Sequence, residues 1–400
     1  MWNFRPSALQ QGGGYETMQC QTLVDHYRRD NQRAAAWSTT QQQQQQQQGG
    51  GSTKRARVNE GNLPHGIPSP TSRRLRTCQW NVHSFSNYVW YPSLDANYLR
   101  DGMELAQAVV QTLLEFQADI LVLNEFGASS VCGSSGSSIA PEDVTEPSRK
   151  YVLQMLQAQG YHTIVAAQNC PFPTAIATKL PVEKSISFPL DMWRSCVAIK
   201  VRLTHDSSSD DDDHFVWVYG THLEDSDKDG WRIRRNEMKC LLERVLDEGC
   251  NHPYSTINSS VMIIGDLNQQ RQRDYTPDEW QLILANKAQR ESPPTDGVDQ
   301  LLKAFGLTCI WDTPPPGKND KDGLDTNWAA PNNTNNSPNS NNHHPPPSTH
   351  WTGTIVDYTY YNHDRLQLKG VYVSPSGLSD HRPIVCDWDL LPKKQNNNDI

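Results

Sequence analysis

Between residues 73 and 392 the apolar positions fall into short blocks whose period switches repeatedly between that of a strand and that of a helix. TCQWNVHSF (77–85) reads as a strand running into a polar loop, and MELAQAVVQTLLEFQ (103–117) places its apolar residues at helical spacing. ADILVLNEF (118–126) is the short apolar run of a strand buried on both faces. PSRKYVLQMLQAQG (147–160), with Pro near its start and Gly at its end, predicts a helix. Strands are expected at YHTIVAA (161–167), TAIATKL (174–180), SCVAIKVRL (195–203) and HFVWVYGTHL (214–223). GWRIRRNEMKCLLERVLDEG (230–249) carries an apolar helical stripe, and VMIIGDLN (261–268) is again a buried strand. TPDEWQLILANKA (276–288) predicts a helix behind a Thr cap, and DGVDQLLKAFG (296–306) a shorter one. GTIVDYTYYN (353–362), KGVYVSP (369–375) and RPIVCDWDL (382–390) close the pattern as strands. Strands and helices alternate early and strands dominate late, which predicts an α/β sandwich with helices outside mixed sheets.

Composition bounds this domain. Residues 1–72 contain an eight-glutamine run (41–48), then GGGST and LPHGIPSPTS, and such segments cannot bury enough apolar surface to offset their ordering entropy. They are read as a disordered tail, 73–392 as one domain, and 393–400 as a second short tail. Low-complexity insertions are expected inside the domain at about 127–148, 206–214 and 313–350. The first is Gly/Ser-rich, but no Lys follows it into a helix, so it is not a phosphate-cradling P-loop. The third ends in PNNTNNSPNSNNHHPPPSTH, and its His343, His344 and His350 are assigned to a solvated linker rather than to a metal site.

Charge and cysteine usage narrow the class further. Residues 1–76 hold ten Lys/Arg against four acids, so of the net charge of −9 the remainder of the chain carries −15. An acidic domain presents no broad nucleic-acid-binding face, yet it suits a cleft that recruits cations. No apolar run is long enough to span a bilayer, and the N-terminus lacks a basic-then-apolar signal pattern. The expectation is an intracellular chain, cytoplasmic or nuclear, without stable membrane association. KRAR (54–57) has the composition of a nuclear address, although a solvated basic cluster explains it as well. The nine cysteines are scattered and form no C-x-x-C; Cys78, Cys196, Cys240, Cys309 and Cys386 are read as small buried hydrophobes.

The informative polar residues stand beside apolar strands: Asn81, Glu125, His222, Asp266, Asn268, Asp357 and the pair Asp380–His381. A lone strand-end Asp is usually a turn former, but a set made only of acids, amides and imidazoles is hard to attribute to turns. Carboxylates suit a hard cation such as Mg²⁺, while imidazole and amide donors suit a phosphoryl group gathering charge. Ser379 has no triad geometry to act as a nucleophile. The set reads as a metal-assisted phosphate cleaver. Asp380 and His381 lie where a strand is expected to begin, and strand neighbours point to opposite faces, so each is expected to serve a different partner.

WNVHSF, LVLNEF, YGTHLE, IIGDLN, IVDYTY and LSDHRP, in that order, resemble the motif series of the endonuclease/exonuclease/phosphatase (DNase I-like) superfamily. That group includes nucleases, deadenylases, inositol-polyphosphate phosphatases and sphingomyelinases. The resemblance spans about residues 77–390 and implies a four-layer α/β sandwich of two mixed β-sheets flanked by helices. It implies Glu125 as principal metal ligand, with Asn81 and Asp380 close to the metal or its waters. Asp266 would orient or deprotonate the attacking water, and Asn268 would hold that water or a phosphate oxygen. His222 and His381 would hydrogen-bond phosphoryl oxygens, with Asp357 orienting His381 and keeping it protonated. The implied cofactor is Mg²⁺, with Mn²⁺ as the alternative.

The implied activity is divalent-metal-dependent hydrolysis of a phosphoester by water, with nucleic acid as the favoured substrate and a monomer as the expected state. THLED before an Arg-rich helix, GDLN and the WDT triplet are most similar to the tyrosyl-DNA phosphodiesterase branch, though the residue between Asp266 and Asn268 departs from that branch. An inositol- or lipid-phosphate phosphatase, or a catalytically silent binding protein on the same fold, are the alternatives. Arg235, with Arg232 and Arg234, is a candidate for the substrate phosphate. His83 is expected to be structural, Glu224 and Asp225 to face solvent, Trp311 to be buried, and Trp328 to line the cleft.

Overall fold

The computed structural model of the chain describes residues 74–85, 102–126, 147–166, 172–191, 193–203, 214–226, 229–248, 259–312, 346–362 and 366–391. The tails, the glutamine run, KRAR, Trp328, His343, His344 and most of the three insertions lie outside the described residues.

Among the described residues, twelve strands build two six-stranded sheets. The first runs in the order β11 (Leu366–Val373), β12 (Ile384–Leu390), β1 (Arg74–Asn81), β2 (Ile120–Asn124), β4 (Ala175–Thr178), β3 (Thr163–Ala166). The second runs β5 (Val182–Pro189), β6 (Ser195–Leu203), β7 (His214–His222), β8 (Ser259–Asp266), β10 (Asp357–Tyr361), β9 (Thr308–Cys309). Both are mixed: β1 pairs with β2, and β7 with β8, in parallel, while the other pairs are antiparallel.

Alternation along β2 explains the layering. Ile120 and Val122 join the core between the sheets, whereas Leu121 and Leu123 face an outer core with helices α1 (Gly102–Glu115) and α2 (Pro147–Ala158). On the far side, α3 (Gly230–Asp247), α4 (Pro277–Gln289) and α5 (Val298–Ala304) contribute Leu241, Ile283 and Leu302 to the core of the second sheet. The result is four layers, two mixed sheets between helices. Each predicted helix is present, and the Thr expected to cap α4 forms a complete capping box, Thr276 with Glu279.

Two motif glycines are fixed by close approach. A Cβ on Gly265 would stand 1.8 Å from the Thr221 carbonyl oxygen, so β7 and β8 can pair here only through glycine. A Cβ on Gly220 would meet Val122 at 3.0 Å and Thr174 at 3.1 Å across the sheet interface. Below the strand ends, buried Asn124 stitches the sheets together: its amide donates to Thr174 and the Thr221 carbonyl, and its oxygen accepts from the Asp266 backbone N–H.

The pattern missed β5, because VEKSISFP is an edge strand with mostly partly exposed positions and so lacks an apolar run. The strand read over 353–362 starts only at Asp357, since Ile355 and Val356 precede the ladder. Of the five cysteines read as buried, four are, while Cys240 is half-buried on α3.

Candidate active site

Strand register collects the candidate residues at one edge of the sandwich. In the second sheet His222 pairs with Asp266 across the parallel β7–β8 ladder, and Asp266 faces Asp357 across the antiparallel β8–β10 ladder. In the first sheet Asn81 pairs with Asn124, placing Glu125 one residue beyond the end of β2. Glu125 and Asn268 take left-handed φ values of 50° and 47°, and His83 one of 44°, so backbone strain concentrates where the two sheets deliver these side chains.

Asp266 is the hub. Its Oδ2 lies 3.2 Å from the Asn81 amide nitrogen and 3.5 Å from Nε2 of both His222 and His381, while Oδ1 accepts the Asn268 backbone N–H. His381 bonds through Nδ1 to Asp357 at 2.8 Å, and Gln79 donates to the other oxygen of Asp357 at 2.6 Å. Opposed aspartates on adjacent strands would repel, and the His381 ring set between them offsets that repulsion. Asn81 also donates to Glu125 at 3.0 Å. Asn268 donates to the Leu223 carbonyl, and its amide nitrogen lies 3.2 Å from His222 Nε2.

The two imidazoles are shifted in opposite directions. Burial depresses His381, but the charges of Asp357, Asp266 and Asp380 more than offset it and hold its pKa well above the ordinary value. Burial and then the Arg194 guanidinium hold His222 well below it. Burial pushes the Asp266 carboxyl well above the usual carboxylate range, with Asp357 acting in the same sense and His381 pulling back. Burial would also raise Glu125, yet the hydrogen bond from His83 and the charges of His222 and His83 bring it well below its ordinary value.

Several expectations need correction. Asp380 and His381 occupy the turn before β12 rather than the strand, so they do not diverge: Asp380 Oδ1 is 4.0 Å from His381 Nε2. They keep different principal partners, Asp357 and Asp266 for His381 but His83 for Asp380. His83 is not merely structural, because its Nδ1 lies between Glu125 (3.5 Å) and Asp380 (3.6 Å). Asp225 faces solvent as expected, Glu224 is half-buried, and both flank the Arg194 guanidinium. Arg235 is not brought to the cluster: it stands exposed on α3 against Gly297, while Arg234 is bound to Asp296 and Arg232 lies over Trp231. Helical spacing separates the three: Arg232 and Arg235 are exposed, while buried Arg234 also donates to the Glu224 carbonyl just beyond β7. Trp311 is buried as expected, donating to the Asp357 carbonyl.

His350 is the largest departure. Its segment was read as solvated linker, but residues 346–350 are packed against the site: the Thr349 hydroxyl accepts the backbone N–H of Val356 and Asp357, and Trp351 N–H donates to the Asp380 carbonyl. Arg194, Gln79 and Asn124 were missed too. Arg194 donates toward His222 Nδ1 at 3.1 Å and stacks under Phe172. None of the three has a local signature, since each matters only through partners at least 28 residues away.

Among the described residues, two groups bring metal-ligating atoms within 4.8 Å of one another: Asp266, Asp357 and His381, and His350, Asp380 and His381. Glu125 belongs to neither but faces Asp380 across His83, and Asn81 uses its amide to hold Glu125 and Asp266. Buried carboxylates need compensating charge, and a set rich in carboxylate oxygen fits a divalent cation.

No protein-family model matches the chain, and no curated protein matches it. Solved structures do. An endonuclease/exonuclease/phosphatase from Beutenbergia cavernae DSM 12333 is 17% identical, with 80% of this chain and 72% of that one covered at a TM-score of 0.48. The human Nocturnin catalytic domain with bound sulfate anion is 14% identical, with 80% and 95% covered at 0.48. TDP2 from Caenorhabditis elegans is 17% identical, with 79% and 74% covered at 0.43. The chain itself is a two-sheet, helix-flanked sandwich, with the six motifs at or beside the ends of its strands.

Proposed function

We propose that this chain is a divalent-metal-dependent phosphoesterase that hydrolyses a nucleic-acid phosphodiester by attack of water. The observation that carries this reading is Asp266, a buried carboxyl whose Oδ2 lies 3.5 Å from Nε2 of both His222 and His381, beside Glu125 and Asp380. Glu125 and Asp380 would hold a cation, Mg²⁺ or Mn²⁺, whose chemistry there is to neutralise phosphoryl charge and acidify water. Asp266 orients the attacking water and accepts its proton, a task suited to a carboxylate whose basicity burial has raised. Protonated His381, steadied by Asp357, donates to a phosphoryl oxygen from Nε2. His222, held by Arg194 and Asn268, stands beside it.

A nucleic-acid substrate is favoured over an inositol phosphate by Phe172. This ring is 42% exposed, its centroid lies 6.4 Å from that of His222, and exposed aromatic rings beside a phosphate site are what bases stack on.

The test uses the full chain with Mg²⁺, Mn²⁺ or EDTA. The substrates are single-stranded DNA, abasic duplex, poly(A), a 5′-tyrosyl oligonucleotide and an inositol polyphosphate. Metal-dependent cleavage of a nucleic acid, abolished by EDTA and restored by the metal, is expected. Cleavage confined to the inositol polyphosphate, or unaffected by EDTA, would overturn the proposal.

A further inference from the structure

The His350 segment lies at the Asp380 side of the cluster. The backbone N–H of His350 donates to the Thr354 carbonyl, and a lone β-bridge pairs the residue with His381. The two rings meet edge-to-face with centroids 4.7 Å apart. The Arg382 N–H donates to the Thr349 carbonyl, so the segment is tied to the turn that carries Asp380 and His381 from both sides.

Hydrogen bonding fixes the tautomer of His350. The Thr352 backbone N–H points at Nδ1, and the Thr352 hydroxyl stands 2.7 Å from the same atom. Nδ1 is therefore an acceptor, and in the neutral ring the proton sits on Nε2. That N–H is directed toward Asp380 Oδ2, yet the separation is 3.9 Å, beyond a hydrogen bond. No hydrogen bond of Nε2 is formed among the described residues. The structure thus holds a donor beside the cluster, oriented by a threonine turn and left without a close acceptor.

We infer that His350 is a substrate-binding residue whose Nε2–H donates to an oxygen of the substrate phosphate, alongside His381. The inference rests on the phosphoesterase reading and extends it with a third imidazole, supplied by a segment outside the six motifs. It divides the phosphate contacts between His222, backed by Arg194, and the His381–His350 pair, backed by Asp357 and Thr352.

The experiment compares His350→Phe, which keeps a ring against His381 but removes the donor, with His350→Gln, which restores an N–H donor. Inorganic phosphate binding to the full chain is measured by calorimetry with and without Mg²⁺, and KM and kcat are measured separately on the cleaved substrate. The wild type should bind phosphate, and His350→Phe about tenfold more weakly, the scale of one hydrogen bond to a charged group. The loss should fall mainly in KM, and His350→Gln should recover part of it.

Wild-type phosphate affinity and KM in a His350→Phe protein of unchanged Tm would overturn the inference, as would a wild type that binds no phosphate. Hydrolysis by the wild type with unchanged His350→Phe kinetics would sink this inference alone. Weakened phosphate binding in His350→Phe, from a wild type that cleaves nothing in the substrate panel, would sustain it while sinking the phosphoesterase reading.

Discussion

A single carboxylate decides the state of the histidine beside it. Asp357 faces Asp266 across the ladder, and the charge on His381, with the hydrogen bonds from Gln79 and Asn81, makes that arrangement tolerable. Replacing Asp357 with Asn should move the His381 titration, followed by NMR of the ring protons, to markedly lower pH. An unmoved titration would detach the two residues. Glu237 on α3 gives a second residue-scale test. It is buried, its Oε2 accepts the Glu224 N–H, and burial first and then Asp191 push its pKa up to about 7. A carboxyl raised in the folded state stabilises below its unfolded pKa and loses that contribution as pH rises through the folded value. Stability should therefore fall between about pH 4.5 and 7. Glu237→Gln should flatten that fall and gain up to about 3 kcal/mol at pH 8, at roughly 1.4 kcal/mol per pKa unit. Denaturant melts at pH 5 and pH 8 check it, and an equal pH dependence in both proteins would refute it.

At the scale of elements, strand ladders do the positioning and glycine permits it. The 1.8 Å approach of a Cβ at Gly265 to the Thr221 oxygen predicts that Gly265→Ala parts β7 from β8, where His222 and Asp266 pair. It should cost about 2–4 kcal/mol by denaturant melting and lower activity more than stability alone explains; a cost near zero would contradict the register. On the other sheet, β1 and β12 are joined by fully buried Arg76, bidentate to Asp387. Asp387→Ala removes the carboxylate from that buried cation and should cost about 3–5 kcal/mol.

These elements were largely legible because two-sided burial writes itself as continuous apolar runs, as in ILVLN and VMIIGD. The acids, amides and imidazoles next to those runs were legible for the same reason. Edge strand β5 was not, since its half-exposed positions leave no run to read. Nor were His350, His83 and Arg194, because their place is set by tertiary partners and not by neighbours in sequence.

For the whole molecule, two mixed sheets between helices bring one strand-end row from each sheet together. The chain concentrates carboxylates there with imidazoles to balance them. Under the proposed function, an acidic domain would bind a phosphate through local positive charge from His381, Arg194 and the cation, and not through charge spread over the surface. No described helix is long and apolar enough to cross a membrane. The central claim is that Asp266 activates the water. It is tested most directly by the rate at which full-length Asp266→Ala, matched to the wild type in Tm and circular dichroism, cleaves the substrate in saturating Mg²⁺. A fall of about a hundredfold or more, on the scale of 2.7–4 kcal/mol for loss of a key transition-state contact, is the predicted result. Near wild-type turnover by the folded variant would contradict it.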